Sequence, residues 1–258
     1  MTILFPSPIF GPVKSRRLGV SLGINLLPGD GKVCSFDCIY CECGLKKDNV
    51  PHQKFPSRSQ VRTELHLQLE KMKAQGTPPD VITFAGNGEP TLHPDFAGII
   101  DDTIALRDEY FPKAKVSVLS NATQLDRQDV FDALLRVDNN IQKLDTVSSE
   151  YIRFIDQPNS PSFDVGHVID RLAAFADRCI IQTMFIGGEY KGKSVDNTGD
   201  GYVIPWLDAI ERIHPSEVMI YTIERETPIS TLRKASHEAL DRIALEVEAR
   251  GFRCQVSY

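Results

Sequence analysis

The sequence has little of several features that would place it in a class at once. Its 258 residues contain no run of 18 or more apolar residues, so it predicts no membrane-spanning helix. The start, Met-Thr-Ile-Leu-Phe-Pro-Ser-Pro, lacks the basic segment and long apolar run of a secretory signal. Cysteine is sparse, at six residues, which argues against a secreted disulfide framework. These absences predict a cytoplasmic protein whose thiols stay reduced.

Positive charge and paired histidines are also scarce. The formal net charge is −6 at pH 7, whereas nucleic-acid-binding proteins commonly carry a basic face. Two local basic stretches, Lys14-Ser-Arg-Arg and Lys46-Lys47, are explained equally well by a solvated rim. The six histidines show no HExxH spacing, which leaves no zinc-hydrolase motif. The charge pattern therefore gives only weak guidance about partners.

Four of the six cysteines lie within ten residues, namely Cys34, Cys38, Cys41 and Cys43. Thiolates select zinc, copper(I) or iron–sulfur clusters, and the tight spacing places the sulfurs on one loop. Three cysteines would leave one iron of a four-iron cluster without a protein ligand, and catalysis needs such an open position. A zinc site using all four cysteines is an alternative, although structural zinc sites usually pair two separated arms. The loop predicts an iron–sulfur enzyme, with a non-catalytic zinc module or iron–sulfur sensor as the competing interpretation.

Strand-like and helix-like segments alternate along the chain, which predicts a parallel α/β sheet in a single domain spanning residues 1–258. The predicted strands lie at residues 17–27, 81–84, 116–119, 141–144, 179–186, 218–222 and 252–256, and the predicted helices at 60–75, 94–110, 126–135, 165–177, 204–213 and 236–250, with Ser59, Asp126 and Ser236 as caps. Residues 1–18 are predicted to be an extended lead-in, residues 189–203 a mobile loop, and residues 187–203 a lid that closes over the site. The expected fold is a partial (β/α)6 TIM-like barrel with the cysteine loop after its first strand.

Polar residues follow the predicted strands at their carboxyl ends, where a parallel sheet presents its ligand site. Gly86, Gly88 and Glu89 follow the second strand, where glycines allow close approach and a carboxylate can accept from an ammonium group. Ser120 and Asn121 follow the third strand, and their hydroxyl and amide groups suit ribose hydroxyls. Each segment on its own could be an ordinary turn. The prediction of a ligand site depends on both segments lying at carboxyl ends of strands in the same sheet.

Further candidates belong to the later strands. Strand alternation places Lys143 and Asp145 on one face, and an inward lysine requires a carboxylate from Asp145, another residue or a bound cofactor. Gln182 is predicted to face the barrel interior from the fifth strand. Glu224 and Arg225 close the sixth strand, where they form either a substrate contact or a surface ion pair.

The spacing of Cys34, Cys38 and Cys41 resembles the CxxxCxxC motif of the radical S-adenosylmethionine enzymes. In that family the methionine moiety chelates the unique iron, and an aromatic residue before the third cysteine, Tyr40 here, lies near the adenine. Residues 86–90, Gly-Asn-Gly-Glu-Pro, resemble the GGEP motif that holds the methionine amino group, with an asparagine inserted. The resemblance implies a [4Fe–4S] cluster on the three cysteines and S-adenosylmethionine as cofactors.

The same resemblance implies cofactor contacts for the remaining candidates, which are Gly86, Gly88, Glu89, Ser120, Asn121, Lys143, Asp145 and Gln182. It also implies a flavodoxin- or ferredoxin-like electron donor. Reductive cleavage of S-adenosylmethionine would give methionine and a 5′-deoxyadenosyl radical, which abstracts hydrogen from the substrate.

Within the family, residues 10–19, 142–145, 181–186 and 220–225 resemble the branch of wyosine-base (4-demethylwyosine) synthases and their bacterial relatives. Those synthases carry a further cysteine set ahead of the motif, whereas no cysteine precedes Cys34 here. The substrate therefore stays open among a small molecule, a peptide and an RNA base, and a tRNA base-modifying enzyme is the alternative activity.

Overall fold

The computed structural model describes residues 3–15 and 18–258, so Arg16 and Arg17 of the basic stretch lie outside the described residues. Numbered in chain order, the elements are β1 (Ile9–Ser15), β2 (Gly19–Ile24), α1 (Arg58–Gln75), β3 (Val81–Phe84), α2 (Phe96–Tyr110), β4 (Lys115–Ser120), α3 (Gln128–Leu134), β5 (Asn139–Lys143), α4 (Ser149–Ile155), α5 (Val165–Ala173), β6 (Ile180–Met184), β7 (Ile186–Tyr190), β8 (Lys193–Ser194), α6 (Asp200–Ile213), β9 (Glu217–Tyr221), β10 (Leu232–Lys234), α7 (His237–Ala249) and β11 (Cys254–Ser257).

A parallel sheet organises the molecule. In the described part of the chain its eight strands follow the order β1-β2-β3-β4-β5-β6-β9-β11. Only the β1–β2 pair in this sheet is antiparallel among those described, and the other neighbours are parallel. The sheet curls into an open half-barrel, which confirms the predicted partial TIM-like fold. Among the residues described, we find no helix with the length and apolar character needed to span a bilayer.

The two faces of the sheet carry different cores. Strand residues such as Ile82, Val118 and Ile220 pack with the helices in one large apolar cluster. Ile141 and Met219, on the other face, belong to a separate small cluster. Burial of both faces explains why the central strands are continuous apolar runs rather than alternating ones.

Several predicted element ends differ from the structure. Ser57, not Ser59, caps α1, because its extended backbone lets its hydroxyl accept from the Gln60 amide. Asp126 does not cap α3, which begins at Gln128, and its carboxylate instead contacts His167. Pro94 precedes α2 rather than opening it, since the helix starts at Phe96.

Two segments predicted to be irregular form regular structure. The lead-in contains β1, which pairs with β2 from Ile9 to Ser15 and so extends the sheet. Residues 189–203, predicted to be a mobile loop, include the β7–β8 hairpin and the start of α6. Asn197 bonds the chain after the hairpin to the backbone of Met184 and Ile186. The prediction of an irregular loop is therefore wrong, while closure over the site stays a prediction.

Candidate active site

The cysteine loop lies at the carboxyl edge of the sheet, between two clamps. On one side Val33 bonds to the loop after β3, donating to Asn87 O at 2.9 Å and accepting from Glu89 N at 3.0 Å. On the other side the amides of Asp37 and Ile39 donate to the end of α4, each at 2.9 Å. The backbone around the cysteines is therefore positioned by two strand-end regions at once.

The three motif cysteines differ in exposure and acidity. Burial raises the pKa of Cys34 to about 12 and raises that of Cys38 as well. A hydrogen bond from Cys43 and the nearby charge of Lys32 lower the pKa of Cys41 to about 6. The loop thus holds one thiol that ionises readily and two that would give up their protons on binding iron.

Thiol donors on one loop fit an iron–sulfur cluster. Among the described residues, no three His, Cys, Asp or Glu side chains lie close enough to bind a single metal ion. A four-iron cluster takes each of its three cysteines on a different iron, so it needs a wider triangle of sulfurs than one ion does. Cys43 is buried, and its Sγ donates to Gly86 O at 3.3 Å, which joins the cysteine loop to the glycine loop.

The glycines after β3 are required by close contacts. Gly88 has φ of +139°, and a Cβ there would lie 1.8 Å from Val33 O. Gly86 has φ of +143°, and a Cβ there would lie 2.5 Å from Asn25 Oδ1. Only glycine fits such a backbone, so this segment can lie directly against the cysteine loop.

Asn87, which interrupts the GGEP-like motif, is a structural residue. It is fully buried, and its Nδ2 donates to Phe5 O at 3.0 Å and to Pro28 O at 2.8 Å. Its Oδ1 accepts from Phe5 N at 2.8 Å. The inserted amide thus joins the N-terminal segment to the glycine loop.

Glu89 and Asn121 lie next to each other, as the sequence predicts, and both form hydrogen bonds with neighbouring protein groups. Glu89 Oε2 accepts from Asn121 N at 2.6 Å, while Oε1 accepts from Thr91 at 2.6 and 3.1 Å. Burial raises the pKa of Glu89, and the bonds from Thr91 and Asn121 only partly offset it. Asn121 Nδ2 lies 2.8 Å from Ser35 Oγ and 3.5 Å from Cys34 Sγ, and Ser120 Oγ accepts from Ala122 N. Glu89 and Asn121 thus link the end of β4 to the first motif cysteine.

A buried ion network lies beside Cys38. Lys143 Nζ is 2.8 Å from Asp145 Oδ2 and 2.8 Å from Asp156 Oδ1, and the Tyr40 hydroxyl bonds to both carboxylates. Burial alone would lower the pKa of Lys143, but the two carboxylates raise it well above its usual value. The lysine is therefore charged, and the network fixes the ring of Tyr40.

Gln182 has an unsatisfied oxygen. Its residue pairs with Lys143 across β5 and β6, and only 9% of it is exposed. In the described part of the chain its Oε1 has no hydrogen-bond partner. A buried acceptor without a donor is unfavourable, and this orphaned oxygen is consistent with the cofactor contact predicted for Gln182, which stays a prediction.

A cavity of about 260 Å³ opens beside Tyr40. Its walls combine apolar side chains with strand-borne hydroxyls, among them Phe5, Phe10, Met184, Ile223, Ser21 and Thr83. An ion pair at its rim joins Arg225 Nη1 to Glu42 Oε2 at 2.6 Å. The β1 segment and the end of β9 thus form opposite walls, next to the cysteine loop.

Two site residues escape the sequence-based prediction, Lys32 and Asp156. Lys32 is 3% exposed, although lysine is normally a surface residue and nothing in its spacing marks it. Asp156 follows α4, a helix of seven residues that the nearby prolines conceal. An ion partner for the inward Lys143 was predicted, and Asp156 is the second one that the fold supplies.

Comparison with known proteins agrees with this geometry. Residues 30–192 match the Radical SAM superfamily. A UPF0026 protein of Helicobacter pylori strain J99 is 28% identical over 232 residues, which cover 90% of this chain and 71% of that protein. The fold resembles a radical SAM methyltransferase from Sphaerobacter thermophilus (TM-score 0.68, 14% identity, 92% of this chain and 66% of that one). It also resembles TYW1 with a lysine–pyruvate adduct bound (TM-score 0.62, 14% identity, 89% of this chain and 73% of that one).

Proposed function

Because this chain belongs to the Radical SAM superfamily, whose members use a [4Fe–4S] cluster and S-adenosylmethionine, we propose that it abstracts hydrogen from a substrate in the cavity beside Tyr40. When bound, the cluster and S-adenosylmethionine supply the 5′-deoxyadenosyl radical. Cys34, Cys38 and Cys41 hold the cluster. The observation that carries this proposal is the position of their loop, at the carboxyl edge of a parallel half-barrel and against an open cavity.

The protein's own part is to orient the reactants and exclude water. Tyr40 lines the cavity while its hydroxyl is fixed by buried carboxylates, so its ring offers a rigid wall for an adenine. Asp145 has both oxygens engaged, with Lys143 and Tyr40 at Oδ2 and Met184 N at Oδ1. We assign to Asp145 the positioning of Tyr40 rather than direct contact with the cofactor. The free oxygen of Gln182 is the acceptor offered to the ligand.

The glycine loop after β3 and the end of β4 complete the proposed cofactor site. Gly86 and Gly88 let the main chain approach the cysteine loop, and Glu89 places a carboxyl group there. Ser120 and Asn121 lie at the adjoining strand end, where hydroxyl and amide groups suit a ribose. Their bonds to Glu89 and the cysteine loop support a shared role in shaping this side of the pocket.

The reaction requires one electron of low potential. A flavodoxin- or ferredoxin-like protein is the proposed donor, since Cys34 and Cys41 are only half-buried and the loop is within reach of the surface. A reducing cytoplasm suits such a site, because thiol ligands persist there.

Modification of an RNA base is a second candidate, favoured by one surface groove. This groove combines the aromatic rings of Phe154 and Tyr202 with the cations of Arg153 and Lys193. Lys193 Nζ lies 5.7 Å from the Phe154 ring. Stacking rings beside cations are the elements of single-strand recognition. Binding of the protein to immobilised tRNA tests this candidate. Binding that weakens as salt rises, and that is weaker for Lys193→Ala than for the wild type, supports it. Equal binding by Lys193→Ala and the wild type counts against it.

Anaerobic reconstitution tests the main proposal. We expect cluster absorption and about four irons per chain, as the family's cluster requires, with loss in Cys34→Ser, Cys38→Ser or Cys41→Ser. Cys179→Ser is the matched control, because Cys179 is a buried thiol remote from the loop in sequence and packs in the main core. The reduced cluster should give a paramagnetic signal that S-adenosylmethionine changes. A full cluster with an unmoved signal would favour an iron–sulfur sensor, and colourless zinc protein a zinc module.

A further inference from the structure

Lys32 is a buried cation inside the cysteine loop. Its side chain is only 1% exposed, and its Nζ donates to Gly44 O at 2.7 Å and to Asp37 Oδ1 at 3.1 Å. Asp37 precedes Cys38 and Gly44 follows Cys43, so the ammonium group spans the segment that carries the later motif cysteines. A buried lysine is costly unless its surroundings are negative, so this position requires a reason.

The bonds of Lys32 fix its ammonium group within the loop of motif cysteines. Lys32 is two residues before Cys34 in the chain, and its two partners lie directly before Cys38 and three residues after Cys41. The ammonium group is thus held, away from water, in the loop that carries all three proposed cluster ligands.

The other buried lysine of the site is neutralised differently. Lys143 contacts two carboxyl groups, those of Asp145 and Asp156, each 2% exposed at the side chain, so two buried acidic groups oppose its charge. Lys32 contacts one carboxylate, Asp37, whose side chain is 19% exposed and which also accepts from Lys46 N at 3.0 Å. Solvent screens Asp37 more than Lys32, so the positive charge of Lys32 is left facing the cysteines.

We propose that Lys32 compensates the charge of the cluster and thereby raises its reduction potential to a value that the donor can reach. The proposal rests on the proposed function only in requiring a cluster on the three cysteines. A doubly positive core with three thiolates sums to one negative charge. Reduction adds one electron from the low-potential donor and takes up no proton, so the negative charge doubles. A fixed, water-excluded ammonium group favours the more negative form.

Redox titration followed by the paramagnetic signal tests this role without any substrate. Lys32→Gln keeps a donor for Gly44 O and removes the charge. We expect its reduced-to-oxidised ratio, at the wild-type midpoint, to fall by about tenfold or more, which is ~59 mV for one electron. Asp37→Asn keeps an acceptor for Lys46 N and removes the opposing charge, so its potential should shift in the positive direction. Opposite shifts from the two partners would not arise from loosened packing alone.

Lys47→Met is the matched control, since Lys47 lies on the same loop but is exposed to solvent. We expect its potential to equal that of the wild type, because water screens the lost charge. Lys32→Gln with full iron content and an unchanged potential would overturn the proposal. If Lys32→Gln does not assemble a cluster, the test uses Asp37→Asn instead. A reduction potential of Asp37→Asn equal to that of the wild type would also overturn the proposal. Failure of the wild type to bind a cluster would instead refute the proposed function.

Discussion

At the scale of single residues, Asn87 shows how a departure from a motif acquires a structural reason. Its amide satisfies Phe5 and Pro28 in a fully buried position. We expect Asn87→Ala to lower the free energy of unfolding by about 1–3 kcal/mol, because buried backbone groups lose their partners. Urea unfolding of the metal-free protein measures this. A loss below about 0.5 kcal/mol, the range of surface substitutions, would contradict it.

The Lys143 network makes a sharper prediction at this scale. Lys143→Met leaves the carboxylates of Asp145 and Asp156 facing each other without a cation. The expected loss of stability is about 3–5 kcal/mol, the range for breaking a buried ion pair. Adding Asp156→Asn to Lys143→Met should recover part of it, since one buried charge is removed. If urea unfolding gives Lys143→Met and the double variant the same free energy of unfolding, the unpaired buried charge is not the cause of the loss.

Residue types at strand ends are predictable from the sequence, whereas their bonds are not. Glu89 and Asn121 lie together because parallel strands end at one edge, which the alternation of strands and helices already indicates. The burial of Lys32 depends on how a long loop packs, and no periodicity describes such a loop. The sequence therefore predicts the members of the site better than its electrostatics.

At the scale of elements, the glycine loop after β3 and the cysteine loop fit together through Val33. Gly88→Ala places a Cβ 1.8 Å from Val33 O in a strained backbone, so the two loops must separate. We expect reduced iron content and a lower unfolding free energy. Gly76→Ala is the matched control, because Gly76 also has positive φ, +67°, with no atom within 4 Å of the added Cβ. It should lose about 1 kcal/mol and keep its cluster. Equal iron content in the two variants would argue against the contact.

Elements with strong apolar runs are the ones that the sequence locates well. β3 is the predicted strand at 81–84, and β9 differs by one residue at each end. The hairpin of β7 and β8 is missed because it is rich in Gly and Lys, which are more typical of loops than of strands, whereas in the structure β7 also pairs with β10. α4 is missed because Pro158 and Pro161 follow it closely, and prolines usually mark a loop.

At the scale of the whole molecule, the curl of the sheet creates the cavity between the β1 segment and the end of β9. Ala85 lines this cavity, so Ala85→Leu should narrow it without touching the cysteines. We expect this variant to bind a full cluster. About tenfold more S-adenosylmethionine should be needed to change its paramagnetic signal, because the larger side chain occupies the cavity. Ala74→Leu, the same change on the exposed surface of α1, should behave as wild type. If Ala85→Leu responds to S-adenosylmethionine as the wild type does, the cofactor does not bind in this cavity.

Formation of 5′-deoxyadenosine would show whether the cysteine loop supports radical chemistry. The reconstituted protein would be reduced anaerobically with S-adenosylmethionine, and the products separated by chromatography. We expect 5′-deoxyadenosine and methionine from the wild type and neither from Cys38→Ala. No 5′-deoxyadenosine from a protein whose four-iron cluster is fully reduced would contradict it.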